Sequence, residues 1–440
     1  MEKSGIAYRA AKNVLAGALP AIWVARGNLS EALKEGGRTS TAGPQTRAIR
    51  ATLAIGQVTL ATMLLVGAGL LARSFVSLLR VDRGYDTANV VVGTVQAWQH
   101  YREPERRAEF VRQAVDRLRA APGVRAVGVT SSLPLSPPIG AHEAGYVLEG
   151  QARPVASEWP TVHVAIIAGS YFDALRTPLR RGRLFDDRDR APAPPVMIVN
   201  EAFARRHFAQ DNPIGRRVVV NFTRMDSVRI REIVGVVGDM RHEGLHAAPA
   251  PTVFLAHAQL PFGALTFVVR AESNPAAALR ALRAELTALN SAMPVEDPTT
   301  LDARLQESLR ARRFHLALLL TFALAALGLA AVGVYGVVSH ATAERTHEIG
   351  VRMALGAQAR SIIGAVMRSG LTMVGVGVLL GAIGAAAGGR ALSAMLFDTT
   401  AHDAPTYALV ALVIIATSLI ATGVPAVRAI RVEPSEALRG

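Results

Sequence analysis

Residues 316–338 read LALLLTFALAALGLAAVGVYGVV, a run without Lys, Arg, Asp or Glu. About 20 mostly apolar residues let a helix cross the hydrocarbon core of a bilayer, so this stretch predicts a membrane span. Three further windows of the same kind occur at residues 51–71, 371–387 and 407–424. The whole chain agrees with them, being 50% hydrophobic and only 19% charged over 440 residues, with mean hydropathy +0.28. Buried helices of a soluble core would need four such uninterrupted runs in one chain, which the length criterion excludes.

The formal net charge of +14 raises nucleic acid as a partner. The charge is scattered and largely Arg, no basic tract is interleaved with aromatics, and only 5% of residues are aromatic. No base-stacking platform is present, so nucleic acid is set aside. The absence of cysteine excludes disulfides and thiolate metal sites.

Short-loop charges orient the spans. Residues 1–50 carry eight Lys/Arg against three acids, and the 339–369 loop carries Arg345, Arg352, Arg360 and Arg368. The tail adds Arg428, Arg431 and Arg439, whereas the 389–406 loop has only Arg390 beside Asp398 and Asp403. Both termini and the 339–369 loop are therefore expected on the cytoplasmic side of a bacterial inner membrane. Arg304, Arg310, Arg312 and Arg313 sit on the opposite side, where a long translocated domain escapes the rule. The expected organisation is a cytoplasmic segment 1–50, spans at 51–71, 315–338, 370–388 and 407–425, and an outward domain at 72–314. The 339–369 loop, a short outer loop at 389–406 and a tail at 426–440 complete it.

The outward region reads as α+β, with room for two subdomains. Phe110, Val111, Ala114, Val115 and Leu118 follow helical spacing, as do Leu279, Leu282, Leu286 and Leu289. Strand-like runs lie at 124–130, 162–167, 196–199, 217–221, 230–237 and 265–270. Leu301, Leu305 and Leu309 recur every four residues and approach the second span without Gly or Pro, which predicts a stiff stalk.

The ends of the chain repeat one another. LPAIWVARGNLSEALK from Leu19 aligns without gaps on VPAVRAIRVEPSEALR from Val424, setting Pro20 on Pro425 and Ser30 on Ser435. Copies at constant offset indicate a duplicated unit. The first copy lacks a preceding apolar span, so the chain is expected to begin inside the last segment of an earlier repeat.

The segment HEIGVRMALGA, residues 347–357, resembles the FtsX-like permease family of ABC transporter subunits. SYFDALRTPLRRGRLFDDRDR from Ser170 and VNEAFARRHFAQDNPIGRRV from Val199 resemble the MacB-like periplasmic core domain. With the end-to-end repeat, the chain resembles the second half of a duplicated permease. The resemblance implies dimerisation or pairing with a related permease unit, and a cytoplasmic ABC ATPase as partner. It also implies mechanotransmission to the outer domain in place of a path through the helices. Efflux or handling of an envelope substrate would be the outcome.

Within the 339–369 loop, Glu348 and Arg352 are i,i+4 partners on a polar face with Glu344 and Arg345, while Ile349, Met353 and Leu355 supply apolar contacts. Gly350 and Gly356 permit close approach or a turn. These residues are expected to form a coupling segment that docks on the ATPase; a solvated helix at the interface is the bland reading. Gly377 with Gly381 and Gly384 with Gly388 are small-xxx-small pairs for helix packing, within one protomer or at a dimer seam. Gln57, the conspicuous polar side chain of the first span, reads as an interhelical hydrogen bond.

Two motifs lack the context that their chemistry needs. A Walker A loop requires G-x-x-x-x-G-K-S/T, and of the three lysines only Lys3 precedes a Ser, so ATP hydrolysis is expected on another chain. Residues 242–246 spell HExxH, a zinc pattern when helical. Gly244 at its centre, with Pro249 and Pro251 just beyond, makes a helix there unfavourable. A membrane-anchored sensor that binds an envelope component without transport remains the competing function, with a neighbouring kinase gene as its sign. A membrane metallohydrolase would rest on HExxH alone.

Overall fold

A computed structural model describes residues 44–135, 143–155, 158–209, 211–221, 228–345, 348–349, 351–352, 355, 358–393 and 396–429. The end-to-end repeat therefore lies largely outside the described residues. In chain order the elements are α1 (Pro44–Arg80), β1 (Val90–Gln96), α2 (Pro104–Ala120), β2 (Val124–Thr130), β3 (Glu143–Leu148), β4 (Thr161–Gly169), α3 (Tyr171–Leu175) and β5 (Leu179–Gly182). There follow β6 (Val196–Asn200), α4 (Glu201–Phe208), β7 (Arg217–Asn221), β8 (Arg229–Val237), β9 (Thr252–Ala256), β10 (Ala264–Ala271), α5 (Pro275–Leu289) and β11 (Glu296–Thr300). The last three are α6 (Leu301–Glu344), α7 (Ala359–Ser393) and α8 (Ala404–Ala429). The chain divides into two compact units, one of Leu71–Leu318 with Met395–Thr400 and one of the remainder.

The membrane unit is built on α1, α6, α7 and α8, each long and apolar enough to span. Hydrocarbon offers no hydrogen bonds, so its buried hydroxyls turn to their own helix. Thr59 and Thr62 donate to the carbonyls of Ile55 and Val58, and Thr422 donates to that of Ser418. Helix α7 lies on α1 through glycine. A Cβ at Gly381 would stand 2.4 Å from Thr62 Cβ and 2.7 Å from the Thr59 carbonyl oxygen, and one at Gly377 would stand 2.7 Å from Val58. Contact that close is open only to a residue without a side chain.

In the large unit, β11-β1-β10-β2 form an antiparallel run connected as β1-α2-β2 and β10-α5-β11, a split βαβ arrangement. Strands β3 to β9 are inserted between its halves. Of these, β4-β3-β7-β8-β6-β9 follow one another, and the parallel pairing of β4 with β9, His163 on Thr252 through Ile167 on Ala256, returns the run to its start. The α+β reading and its room for two subdomains thus correspond to an open sheet and a closed ring of strands. Phe110, Val111, Ala114, Val115 and Leu118 of α2 are all buried, with Ala278, Leu282 and Leu286 of α5, against Val91, Val95, Phe267 and Val269. The opposite face packs Val90, Val92 and Val268 with Tyr171 and Phe172 of α3. The two motifs that carry the family resemblance shape this fold. Arg183 grips Asp189 through two hydrogen bonds of 2.6 and 2.9 Å. Asn200 caps α4 by accepting from Phe203 N–H at 3.0 Å, and it also accepts from Thr252 N–H on β9.

His257 follows β9 and is buried, its Nε2–H donating to the Phe262 carbonyl at 3.0 Å. Burial pushes its pKa down from 6.5 to about 4; the Phe262 carbonyl opposes this and Arg107 adds to it. A depressed folded-state pKa means that the unfolded chain takes up the proton first. Stability should therefore fall as pH drops from about 6.5 to about 4, by at most about 1.4 kcal/mol per pH unit from this group. Trp98 and Trp159 report the large unit by fluorescence. His257→Gln keeps a donor for Phe262 and is expected to lose one proton's worth of that slope in denaturation midpoints across the window. An unchanged slope would remove His257 as its source.

Candidate coupling segment

The segment between α6 and α7 starts from a tied helix end. Glu344, in the last turn of α6, receives Arg47 of α1 at 2.6 Å and His340 of its own helix at 3.2 Å. Nearby in the same bundle, Arg428 of α8 donates to the Tyr335 hydroxyl of α6 at 3.0 Å. By spacing alone, Glu344 belongs to the polar face of the coupling segment and Arg47 to a leading remnant. The structure instead joins them, because α1 is already helical at Pro44 and brings Arg47 to the end of α6. No local pattern signals that pairing, since the partners are almost 300 residues apart.

Beyond Glu344, Ile349 N–H donates to the Arg345 carbonyl at 2.8 Å and Leu355 N–H to that of Val351 at 3.0 Å. Glu348 and Arg352 pair at 2.6 Å, and both are exposed. Such a pair contributes only about 0.3–0.5 kcal/mol to a helix, so it serves orientation more than stability. The apolar members split. Ile349 is 8% exposed and fixes the segment to its own chain, whereas Leu355 is 83% exposed. Gly350, Met353 and Gly356 lie outside the described residues.

The helix-packing candidates stand elsewhere in the bundle. Gly377, Gly381 and Gly384 face Val58, Thr62 and Met63 of α1, while Gly388 has no atom within 4 Å of where its Cβ would be. Gln57 meets α6 at Gly333, where an added Cβ would lie 2.0 Å from Oε1. That oxygen accepts no hydrogen bond among the described residues.

The HExxH sequence occupies a non-helical loop, with Gly244 at φ 119°. The His242 ring packs at a tilt against His163, centroids 4.6 Å apart, and Leu245 is buried with Leu78, Leu305 and Leu309. Arg241 Nη1 donates to the Leu245 carbonyl at 3.1 Å. The loop's geometry serves packing around the start of α6, which the spacing of its histidines could not convey.

Residues 51–289 match the MacB-like periplasmic core domain, and residues 320–434 match the FtsX-like permease C-terminal family. The chain belongs to the FtsX/MacB-like permease family. Within that family it is similar to the macrolide export ATP-binding/permease protein MacB of Aggregatibacter actinomycetemcomitans, 26% identical over 206 residues, 45% of this chain and 31% of that protein. It is also similar to the pyoverdine export ATP-binding/permease protein PvdT of Pseudomonas syringae pv. tomato, 26% identical over 288 residues, 63% of this chain and 43% of that one. This FtsX/MacB-like chain thus spans less than half the length of either relative. Among solved structures, the periplasmic region of MacB from Actinobacillus actinomycetemcomitans matches at 17% identity, covering 52% of this chain and 97% of that one with a TM-score of 0.35. With four membrane-spanning helices, the FtsX/MacB-like chain is an ABC-type permease component.

Proposed function

We propose that this chain is an inner-membrane permease subunit that receives the motion of a partner ABC ATPase at residues 348–355 and passes it to the large domain by mechanotransmission. The observation that carries this reading is α6, one uninterrupted helix of 44 residues. At 1.5 Å per residue it is about 66 Å long. Leu301, Leu305 and Leu309 bury its first turns, Glu344 ties its last, and no Pro interrupts it. Between those ends the helix has no proline at which to kink. The four apolar windows contain no ionisable side chain of the kind that lines a substrate path through a membrane. The export roles named for the two relatives favour export over import as the outcome here. A second copy or a related permease unit completes the assembly.

An ABC ATPase is expected to stay with the chain through purification in mild detergent. Recovery of a folded bundle with no ATPase, from cells that express one, would sink the coupling reading. The proposed orientation puts both termini and Arg352 in the cytoplasm and Asn212 in the periplasm. Because the chain has no cysteine, single-cysteine variants give a clean test. An impermeant maleimide applied to intact cells should label Asn212→Cys and spare Arg352→Cys; the opposite pattern reverses the topology.

A further inference from the structure

Within the membrane unit, Arg47 and Glu344 stand at the wrong poles of their own helices. A helix carries partial positive charge at its start and partial negative charge at its end, so acids suit a first turn and bases a last one. Residues 44–47, PQTR, open α1 with a base and no acid, and residues 341–344, ATAE, close α6 with an acid and no base. Arg345, just past the helix, offsets part of this for α6. Across the contact the signs invert. Gln57 meets Gly333 and Arg47 meets Glu344, so the two helices run antiparallel and the start of α1 lies beside the end of α6. The Glu344 carboxylate, its side chain 14% exposed, is 2.6 Å from the Arg47 guanidinium. Each charge is thus stabilised by its partner and by the neighbouring helix, but only while the two ends stand together. His340, 3.2 Å from the same carboxylate, belongs to α6 and cannot join it to α1.

We propose that Arg47 and Glu344 are positioning residues for the coupling segment, a latch that keeps the last turn of α6 helical only while the first turn of α1 lies beside it. The turn is a closing one: Arg345 N–H bonds to the Thr342 carbonyl, three residues back, at 3.1 Å. Residues 348–355 hang from it, since Ile349 N–H bonds to the Arg345 carbonyl at 2.8 Å. Without Arg47, the Glu344 carboxylate faces the negative end of its own helix, and the turn frays as helix ends do. The start of α1 is thereby part of the coupling site. This inference rests on the reading of 348–355 as that site.

Hydrogen exchange of the full chain in nanodiscs reads the latch with no ATPase present. Arg47→Gln should speed exchange of the amides at 341–345 by about fivefold. Arg50→Gln, about one turn along α1 and exposed, removes the same charge and should leave them unchanged. The swap of Arg47→Glu with Glu344→Arg restores a pair and sets each charge at the favoured pole of its own helix, so exchange should return to that of the unaltered chain or slower. Unchanged exchange in Arg47→Gln would overturn the proposal, as would equal acceleration by Arg50→Gln or a swap that exchanges as fast as Arg47→Gln. With the ATPase bound, Arg47→Gln should lower the stimulation of ATP hydrolysis severalfold while co-purification persists, and the swap should restore it. A turn that frays with stimulation intact would also overturn the positioning role. Failure of the unaltered chain to retain an ATPase would instead count against the coupling reading, and the exchange results would still decide the latch.

Discussion

Gly381→Leu is expected to unseat α7 from α1 and to lower the thermal midpoint of the detergent-solubilised chain by several degrees or more. Even the first carbon of the new side chain would lie 2.4 Å from Thr62 Cβ and 2.7 Å from the Thr59 carbonyl oxygen. The second of these is helix backbone and can yield only if the helices separate. Forcing bulk into a packed interface costs about 1–3 kcal/mol, and here four heavy atoms must be accommodated. Gly388→Leu, on the same helix where nothing lies within 4 Å, is the matched control and should leave the midpoint unchanged. A neutral Gly381→Leu would refute the α1–α7 packing. A damaging Gly388→Leu would instead place a second protomer against that turn.

What was legible in the sequence depended on how each element meets its solvent. The four spans announce themselves because hydrocarbon demands an unbroken apolar run. The stalk read from Leu301, Leu305 and Leu309 is the start of α6, whereas the end of α1 is less visible: it continues to Arg80, past its apolar window, because packing of Leu78 sustains the helix where hydropathy no longer does. Strands β2 and β7 match their sequence runs to the residue. Strand β1 is buried along almost its whole length, so it lacks the alternation that marks a half-exposed strand. Strand β11, EDPTT, is polar and holds a proline, which only its place at the sheet edge tolerates. The buried face of α5 is offset slightly from the leucine spacing, running through Ala278, Leu282 and Leu286 and leaving Leu279 and Leu289 at the rim. For the coupling segment, Glu348 and Arg352 could be paired from spacing alone. The opposite exposures of Ile349 and Leu355 depend on the surrounding bundle and could not.

That division makes Leu355→Asp the sharpest probe of coupling. In the isolated chain Leu355 is 83% exposed, so a carboxylate there meets water and should cost the fold almost nothing. If the ATPase covers it, the same carboxylate is buried without a partner, a penalty of a few kcal/mol. Interface anchors commonly contribute about 2 kcal/mol or more, which is roughly 30-fold in affinity. Met353→Asp, in the same docking segment, is expected to act in the same direction. ATPase co-purification and the stimulation of ATP hydrolysis should therefore be lost. Membrane insertion and the protease resistance of the large domain should persist. Ile349→Asp supplies the contrast: that side chain is buried by its own chain, so its substitution should weaken the membrane unit itself. If Leu355→Asp binds and stimulates the ATPase normally, the exposed leucine is not an anchor, and the segment is a connector between α6 and α7 whose ion pair faces only water.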